Sequence, residues 1–187
     1  SALLTSRDGG SLSDQELFWL SLTLLVAGNE TTTNLIGLLL LALANHPEDY
    51  ERLRSDPALI DGVIEETLRW GSPVQHLYRT AVSDYTVGST TIPAGSRVML
   101  LFGAANRDPH KFTNPDEFDI DRNPTDHVGF GSGIHYCLGA RLARLEARVV
   151  LEELLPRVRR IRVLDPMKWR DNPTLRGPEH LVLQLEP

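Results

Sequence analysis

The sequence predicts a mainly α-helical fold with a small β-rich part. Three observations carry this. A long apolar run from Leu17 to Ala44 is opened by a helix-start pattern, a second strongly periodic helix lies near Leu138 to Leu155, and short β-branched and aromatic stretches between glycine and proline turns fill Tyr78 to Leu101. The chain has 187 residues and a mass of 20.9 kDa, the size of one ordinary domain or of part of a larger one. Its 41% hydrophobic and 24% charged residues fit a packed core rather than disorder.

The elements follow in chain order. Ser13-Asp14-Gln15-Glu16 has the pattern of a capping box, with Ser13 as N-cap and Glu16 reaching back. A helix of about thirty residues follows and stops near Asn45-His46-Pro47. It is apolar nearly all round, which predicts burial on most sides. Pro47 opens a short helix to Arg54. Asp56-Pro57 opens a third, in which Leu59, Ile60, Val63, Ile64, Thr67 and Leu68 keep the i, i+3, i+4 rhythm until Gly71 and Pro73 end it. Tyr78–Val82, Tyr85–Val87, Thr90–Ile92 and Arg97–Leu101 read as short strands. Residues 108–126, rich in aspartate, proline and asparagine, read as a long irregular loop, and loops of that length usually carry function. A helix over Leu138–Leu155 stops at Pro156, and Leu181–Leu185 alternates enough for a last strand.

Charge and cysteine content exclude several classes. A formal charge of −6 and a pI near 5.5 argue against a protein held to nucleic acid by phosphate contacts. A single cysteine excludes an internal disulfide framework and a multi-cysteine metal site, and fits a reducing, cytoplasmic setting. The apolar run could be taken for a membrane span, but Asn29, Glu30 and three threonines sit in its middle, and a carboxylate at a bilayer centre is costly. No membrane association is expected.

The most informative segment is Phe130-Gly131-Ser132-Gly133-Ile134-His135-Tyr136-Cys137-Leu138-Gly139. Cys137 is expected at a helix start, where the dipole and free backbone N–H groups favour thiolate. The glycines leave room for a flat ligand to approach the backbone. A lone thiolate suits a metal already held by other donors, as in haem. Three other readings stay open on these residues alone: a small buried hydrophobe, a nucleophile with His135 as base, and a zinc site using His127, His135 and Cys137.

This segment resembles the haem-binding signature of the cytochrome P-450 monooxygenases, Phe-Gly-x-Gly-x-His-x-Cys-x-Gly, with every specified position filled. The soluble bacterial branch is the most similar. The resemblance implies haem b (heme, iron protoporphyrin IX) with Cys137 as the proximal, metal-binding ligand to iron. His135 would bond a propionate, Phe130 would pack by the sulfur, and Gly131 and Gly139 would complete the cradle.

Three further motifs match. Glu66-Thr67-Leu68-Arg69 fits the family's Glu-x-x-Arg; residues i and i+3 share a helix face and can pair, although such a pair is also a common surface feature. In the family an arginine of the irregular loop completes the set, and Arg122 stands there. Ala27-Gly28-Asn29-Glu30-Thr31-Thr32 fits Ala-Gly-x-Asp/Glu-Thr-Thr in the long helix. By this likeness Gly28 lets the helix open beside dioxygen, Thr31 donates a hydrogen bond there, and Glu30 relays protons. Arg79 occupies the place of a second propionate-binding residue, or is a solvated strand residue.

The same resemblance places Leu24, Ala27, Gly28, Val74, Gln75, His76, Leu77, Pro173, Thr174 and Leu175 around the substrate. It implies a monooxygenase that inserts one oxygen atom from dioxygen into a small apolar molecule. Electrons would come from NAD(P)H through a reductase and a ferredoxin or flavodoxin. Arg141, Arg144 and Arg148, at i+3 and i+4 spacing behind the cysteine, are expected to form a docking stripe for that acidic carrier, or simply a solvated face. A whole member of the family is about twice as long, so residues 1–187 would be a single partial domain, the C-terminal half of the fold. Without the N-terminal half the chain would expose apolar helix faces and self-associate, or be a truncated, non-catalytic fragment holding little haem.

Overall fold

A computed structural model describes residues 2–187. Helix α1 (Ala2–Asp8) leads into α2 (Asp14–Asn45), 32 residues long. At its start Ser13 Oγ accepts from the Glu16 N–H at 3.2 Å, and Glu16 Oε2 accepts from the Ser13 N–H at 2.8 Å, so the capping box is complete. Helix α3 (Pro47–Ser55) begins on a proline, whose lack of an N–H costs nothing at a helix start. A 3-10 turn at Pro57–Leu59 feeds α4 (Ile60–Gly71), and Ser72 ends it with φ 43°, in the left-handed region.

Strand β1 (Leu77–Thr80) pairs antiparallel with β4 (Arg97–Leu100), and between them β2 (Tyr85–Val87) and β3 (Thr90–Ile92) form a hairpin. The short α5 (Phe102–Ala105) opens a long irregular segment that ends at α6 (Ala140–Leu154). Strand β5 (Arg160–Val163) then pairs with β8 (Leu183–Glu186), and β6 (Lys168–Trp169) with β7 (Pro178–His180).

One core joins these pieces. Leu35, Leu39 and Leu43 of α2 meet Leu53 of α3, Ile60, Ile64 and Leu68 of α4, Leu151 of α6 and Ile161 of β5. Each such side chain fully buried contributes about 1.5–3 kcal/mol. The Tyr50 hydroxyl donates to the Val158 carbonyl at 2.9 Å, tying α3 to the connection between α6 and the strand that follows it.

Several expectations are corrected. Helix α2 is buried only from Thr32 onward; Phe18, Trp19, Leu25 and Val26 are 56–69% exposed, because the core that α2 joins begins at Leu35. By length and composition α2 could cross a membrane, yet its C-terminal half is buried in the chain's own core. The first strand stops at Thr80, leaving Val82 exposed. Strand β5 lay hidden within what reads as an arginine run. Ile161 is 3% exposed between the exposed Arg160 and Arg162, and this period of two is the signal that could have found it. The last helix starts at Ala140, with Gly139 as its N-cap.

Candidate functional site

Cys137 therefore stands just before α6 rather than in its first turn, and it is exposed. The loop that carries it is closed by its own backbone. The Cys137 N–H donates to the Phe130 carbonyl at 2.9 Å, Gly131 N–H to Val128 at 2.9 Å, and Tyr136 N–H to Gly133 at 3.0 Å. Gly131 and Gly133 have φ of 72° and 63°, a conformation that side-chain-bearing residues seldom adopt. A Cβ added at Gly133 would meet nothing within 4 Å, so the space beside the turn is open. His135 is exposed in a 3-10 turn at Gly133–His135. The zinc alternative fails: among the described residues no three His, Cys, Asp or Glu side chains cluster, and His127 is bonded to Glu65.

Beneath the turn lies a polar layer. Arg69 Nε and Nη2 donate to the two oxygens of Glu66, each at 2.7 Å, and Arg122 Nε donates to Glu66 Oε1 at 3.2 Å. Glu66 and Arg69 have no exposed surface. The remaining Arg69 donors reach the carbonyls of Asn106, Pro115 and Glu117, so the irregular segment wraps the pair. The fully buried Asn106 extends this layer to the turn by accepting from the Val128 N–H at 2.8 Å.

Glu65, one residue earlier, was not singled out by its sequence. Its carboxylate accepts from Arg144 Nε at 2.6 Å and Nη2 at 2.8 Å, and from His127 Nε2 at 2.9 Å. Two of the three arginines expected in the docking stripe are thus also engaged within the chain. Arg144 is turned inward onto Glu65 and the Phe130 ring, and Arg148 pairs with Asp61 and Glu152.

On α2 the helix runs unbroken through Gly28, so the expected opening there is absent, although a Cβ at Gly28 would meet nothing within 4 Å. The Thr31 hydroxyl donates to the Ala27 carbonyl at 2.7 Å and so presents its lone pairs outward rather than its proton. Glu30 pairs with Arg170 at 3.3 Å. Arg170 borders a cleft of about 220 Å³ with Gln75, Trp169, Asn172, Arg176 and Gly177.

Two of the segments expected around a substrate do meet. Val74 bridges to Leu175, Gln75 N–H donates to the Thr174 carbonyl at 2.8 Å, and His76 Nε2 lies 3.3 Å from Thr174 Oγ1. Gln75 and His76 are nonetheless engaged by the chain itself. The Gln75 amide donates to the Gly71 and Ser72 carbonyls, and His76 is buried. Leu24 and Leu77 are exposed. Arg79 lies in β1, its guanidinium donating to the Tyr78 carbonyl at 2.8 Å.

The family model for cytochrome P450 matches residues 1–180. The chain belongs to the cytochrome P450 family. It is 47% identical, over 99% of its length, to a beta-dihydromenaquinone-9 omega-hydroxylase of Mycobacterium tuberculosis. It is 46% identical, over 92% of its length, to the biotin biosynthesis cytochrome P450 of Bacillus subtilis. The structure of P450BioI in complex with a hexadec-9Z-enoic acid-ligated acyl carrier protein superposes with a TM-score of 0.92 at 43% identity over 96% of this chain. The P450 monooxygenase TamI gives a TM-score of 0.92 at 40% identity. The chain spans 38% of the Mycobacterium hydroxylase, 44% of the Bacillus P450 and 47% of the P450BioI chain. The fold is thus part of a cytochrome P450, mainly helical with small sheets.

The residues present fit the haem that this P450 family implies. The sole thiol is exposed on an open glycine turn. Arg79 and His135 have no acidic partner among the described residues, which leaves them free to meet propionates.

Proposed function

We propose that this chain is the C-terminal, haem-thiolate half of a bacterial monooxygenase that inserts one oxygen atom from dioxygen into a small apolar organic molecule. The observation that carries the reading is the glycine turn presenting the chain's only thiol. Bound haem would supply the reduction of dioxygen and the transfer of one of its atoms, and a thiolate ligand favours cleavage of the O–O bond.

In this reading Cys137 Sγ is the iron ligand, and His135 and Arg79 hold the propionates, arginine through its planar fork. Phe130, Gly131 and Gly139 shape the proximal cradle, while Ala27 and Gly28 keep the opposite side close and open. Glu30 carries protons inward from water once it parts from Arg170, and Thr31 passes a proton on when its bond to Ala27 opens. Glu66, Arg69 and Arg122 are structural. Leu24, Val74, Leu77, Thr174 and Leu175 border the substrate, with Gln75 and His76 behind them; the apolar members are the reason for expecting an apolar substrate.

Electrons come from NAD(P)H through a reductase and a ferredoxin or flavodoxin, in the cytoplasm. The test is Cys137→Ser in the full-length protein, reduced and exposed to carbon monoxide. The strongly red-shifted thiolate band should vanish, and its persistence would refute the ligand assignment.

A second reading concerns the 187 residues alone. The bare apolar face of α2, with Phe18, Trp19, Leu25 and Val26, favours an isolated chain that self-associates and holds little haem. Haem content and sedimentation of the purified chain decide it; a haem-loaded monomer would rule it out.

A further inference from the structure

Both legs of the cysteine turn are held by one carboxylate that none of the roles above uses. Neighbouring residues on a helix point in different directions. Glu66 of α4 faces Arg69 and the irregular segment, while Glu65 faces α6 and the turn. Its first arm is Arg144, bound through Nε and Nη2. Arg144 donates from Nη1 to the Tyr136 hydroxyl at 3.2 Å, and its guanidinium lies 4.5 Å from the Phe130 ring centre. Tyr136 directly precedes Cys137, and Phe130 supplies the carbonyl that accepts the Cys137 N–H. The second arm is His127. The Gly129 N–H donates to His127 Nδ1 at 3.0 Å, so that nitrogen must be the acceptor, and the proton on Nε2 goes to Glu65. Gly129 leaves no room for a side chain: a Cβ there would lie 3.0 Å from the Leu68 carbonyl oxygen.

We propose that Glu65 is a positioning residue that fixes the Cys137 sulfur through Arg144 and His127. The inference rests on Cys137 being the haem ligand. Glu65 and Arg144 form a two-pronged, charge-assisted pair, the strong and directional kind of hydrogen bond. Burial pushes the Glu65 carboxyl up, but hydrogen bonds from Arg144 and His127 outweigh it and hold it at about 2. The anchor is therefore ionised across the working pH range. The side chains of His127 and Glu65 are 3% and 14% exposed, so this end of the clamp is largely shielded from water. A clamp serving only the fold would change stability and leave the sulfur's surroundings alone.

The test uses the full-length holoprotein and four variants: Glu65→Gln, Glu65→Asp, Tyr136→Phe and, as a control, Glu152→Gln, whose charge pairs with the exposed side of Arg148. The readouts are the haem reduction potential and the rate at which the ferrous–carbon monoxide thiolate band decays. Glu65→Gln should shift the potential and speed the decay about tenfold, the size expected when one hydrogen bond to a charged group is lost. Glu65→Asp should restore part of this, Tyr136→Phe should move both readouts less but in the same direction, and Glu152→Gln should match wild type. Wild-type potential and decay in haem-loaded Glu65→Gln overturn the proposal. If that variant does not fold, Tyr136→Phe decides, since it keeps the Glu65–Arg144 pair: a change supports the proposal and no change overturns it. Failure of the ligand assignment shows separately, in Cys137→Ser.

Discussion

Arg69 grips Glu66 through two hydrogen bonds of 2.7 Å each, and neither side chain reaches solvent. Every other donor of Arg69 is taken by a backbone carbonyl, and Glu66 Oε1 also accepts from the Asp119 N–H at 3.0 Å. The ion pair is the peg on which the irregular segment before the cysteine is hung. Desolvating two charges is costly, and only this full set of partners makes it tolerable.

Removing one partner should therefore be severe. Glu66→Ala leaves Arg69 charged and buried, at a cost of about 3–5 kcal/mol, a large share of a typical stability of 5–15 kcal/mol. In the full-length protein little folded holoprotein should accumulate. A soluble, haem-loaded variant with wild-type melting temperature would sink this account.

Glu65 gives a pH dependence of known sign. Its carboxyl sits at about 2, below the ordinary 4.5, so the unfolded chain takes up this proton first. The stability it contributes is whole above pH 4.5 and is lost as pH falls toward 2. Denaturation followed from pH 5 down to about 2 should show that loss, and Glu65→Gln should lack its share of it. Parallel pH profiles for the two proteins would contradict the pairing.

Thr31 should govern what becomes of reducing equivalents rather than binding. Thr31→Ala removes a hydroxyl bonded only within α2, so haem and substrate binding should stay as they are. Product formed per NAD(P)H consumed should fall and hydrogen peroxide rise, while Thr31→Ser, which keeps the hydroxyl, should stay near wild type. Equal yields from all three proteins would remove Thr31 from the mechanism.

Gly177 is where the C-terminal hairpin touches α2. A methyl group there would overlap the Asn34 amide and lie 2.9 Å from its Cβ. Gly177→Ala should cost about 1–3 kcal/mol, the usual range for overpacking. Asn34 Nδ2 is buried without a partner among the described residues, so Asn34→Ala should cost little by itself and relieve part of the clash. Denaturant titrations of both single variants and the double variant test this; strictly additive effects would mean that the two residues do not meet.

Local signals were legible in the sequence. The capping box, the length of α2, the rhythm of α4 and the hairpin turn each depend on a few consecutive residues, and chain order alone reveals them. The glycine-flanked cysteine was legible for the same reason, since two left-handed positions three and five residues after Val128 dictate the turn. Strands β6 and β7 were not, because each is two or three residues long and forms only when its partner supplies the hydrogen bonds.

The sequence by itself determined the four longer helices, which follow from local patterns, and its motifs carried the resemblance to the family and picked out the one thiol. Only the tertiary structure decided which charges are used up inside it. Arg144 looks, by helical spacing, like one more surface arginine; Glu65, seventy-nine residues earlier, makes it an internal clamp. Glu30 finds Arg170 across a still longer stretch of chain, 140 residues. Helix α2 is apolar along nearly its whole length, yet only the half that α3, α4, α6 and β5 reach is buried. Ion pairs and burial depend on what folds back onto a residue, and the physical neighbour is set by packing rather than by position in the chain.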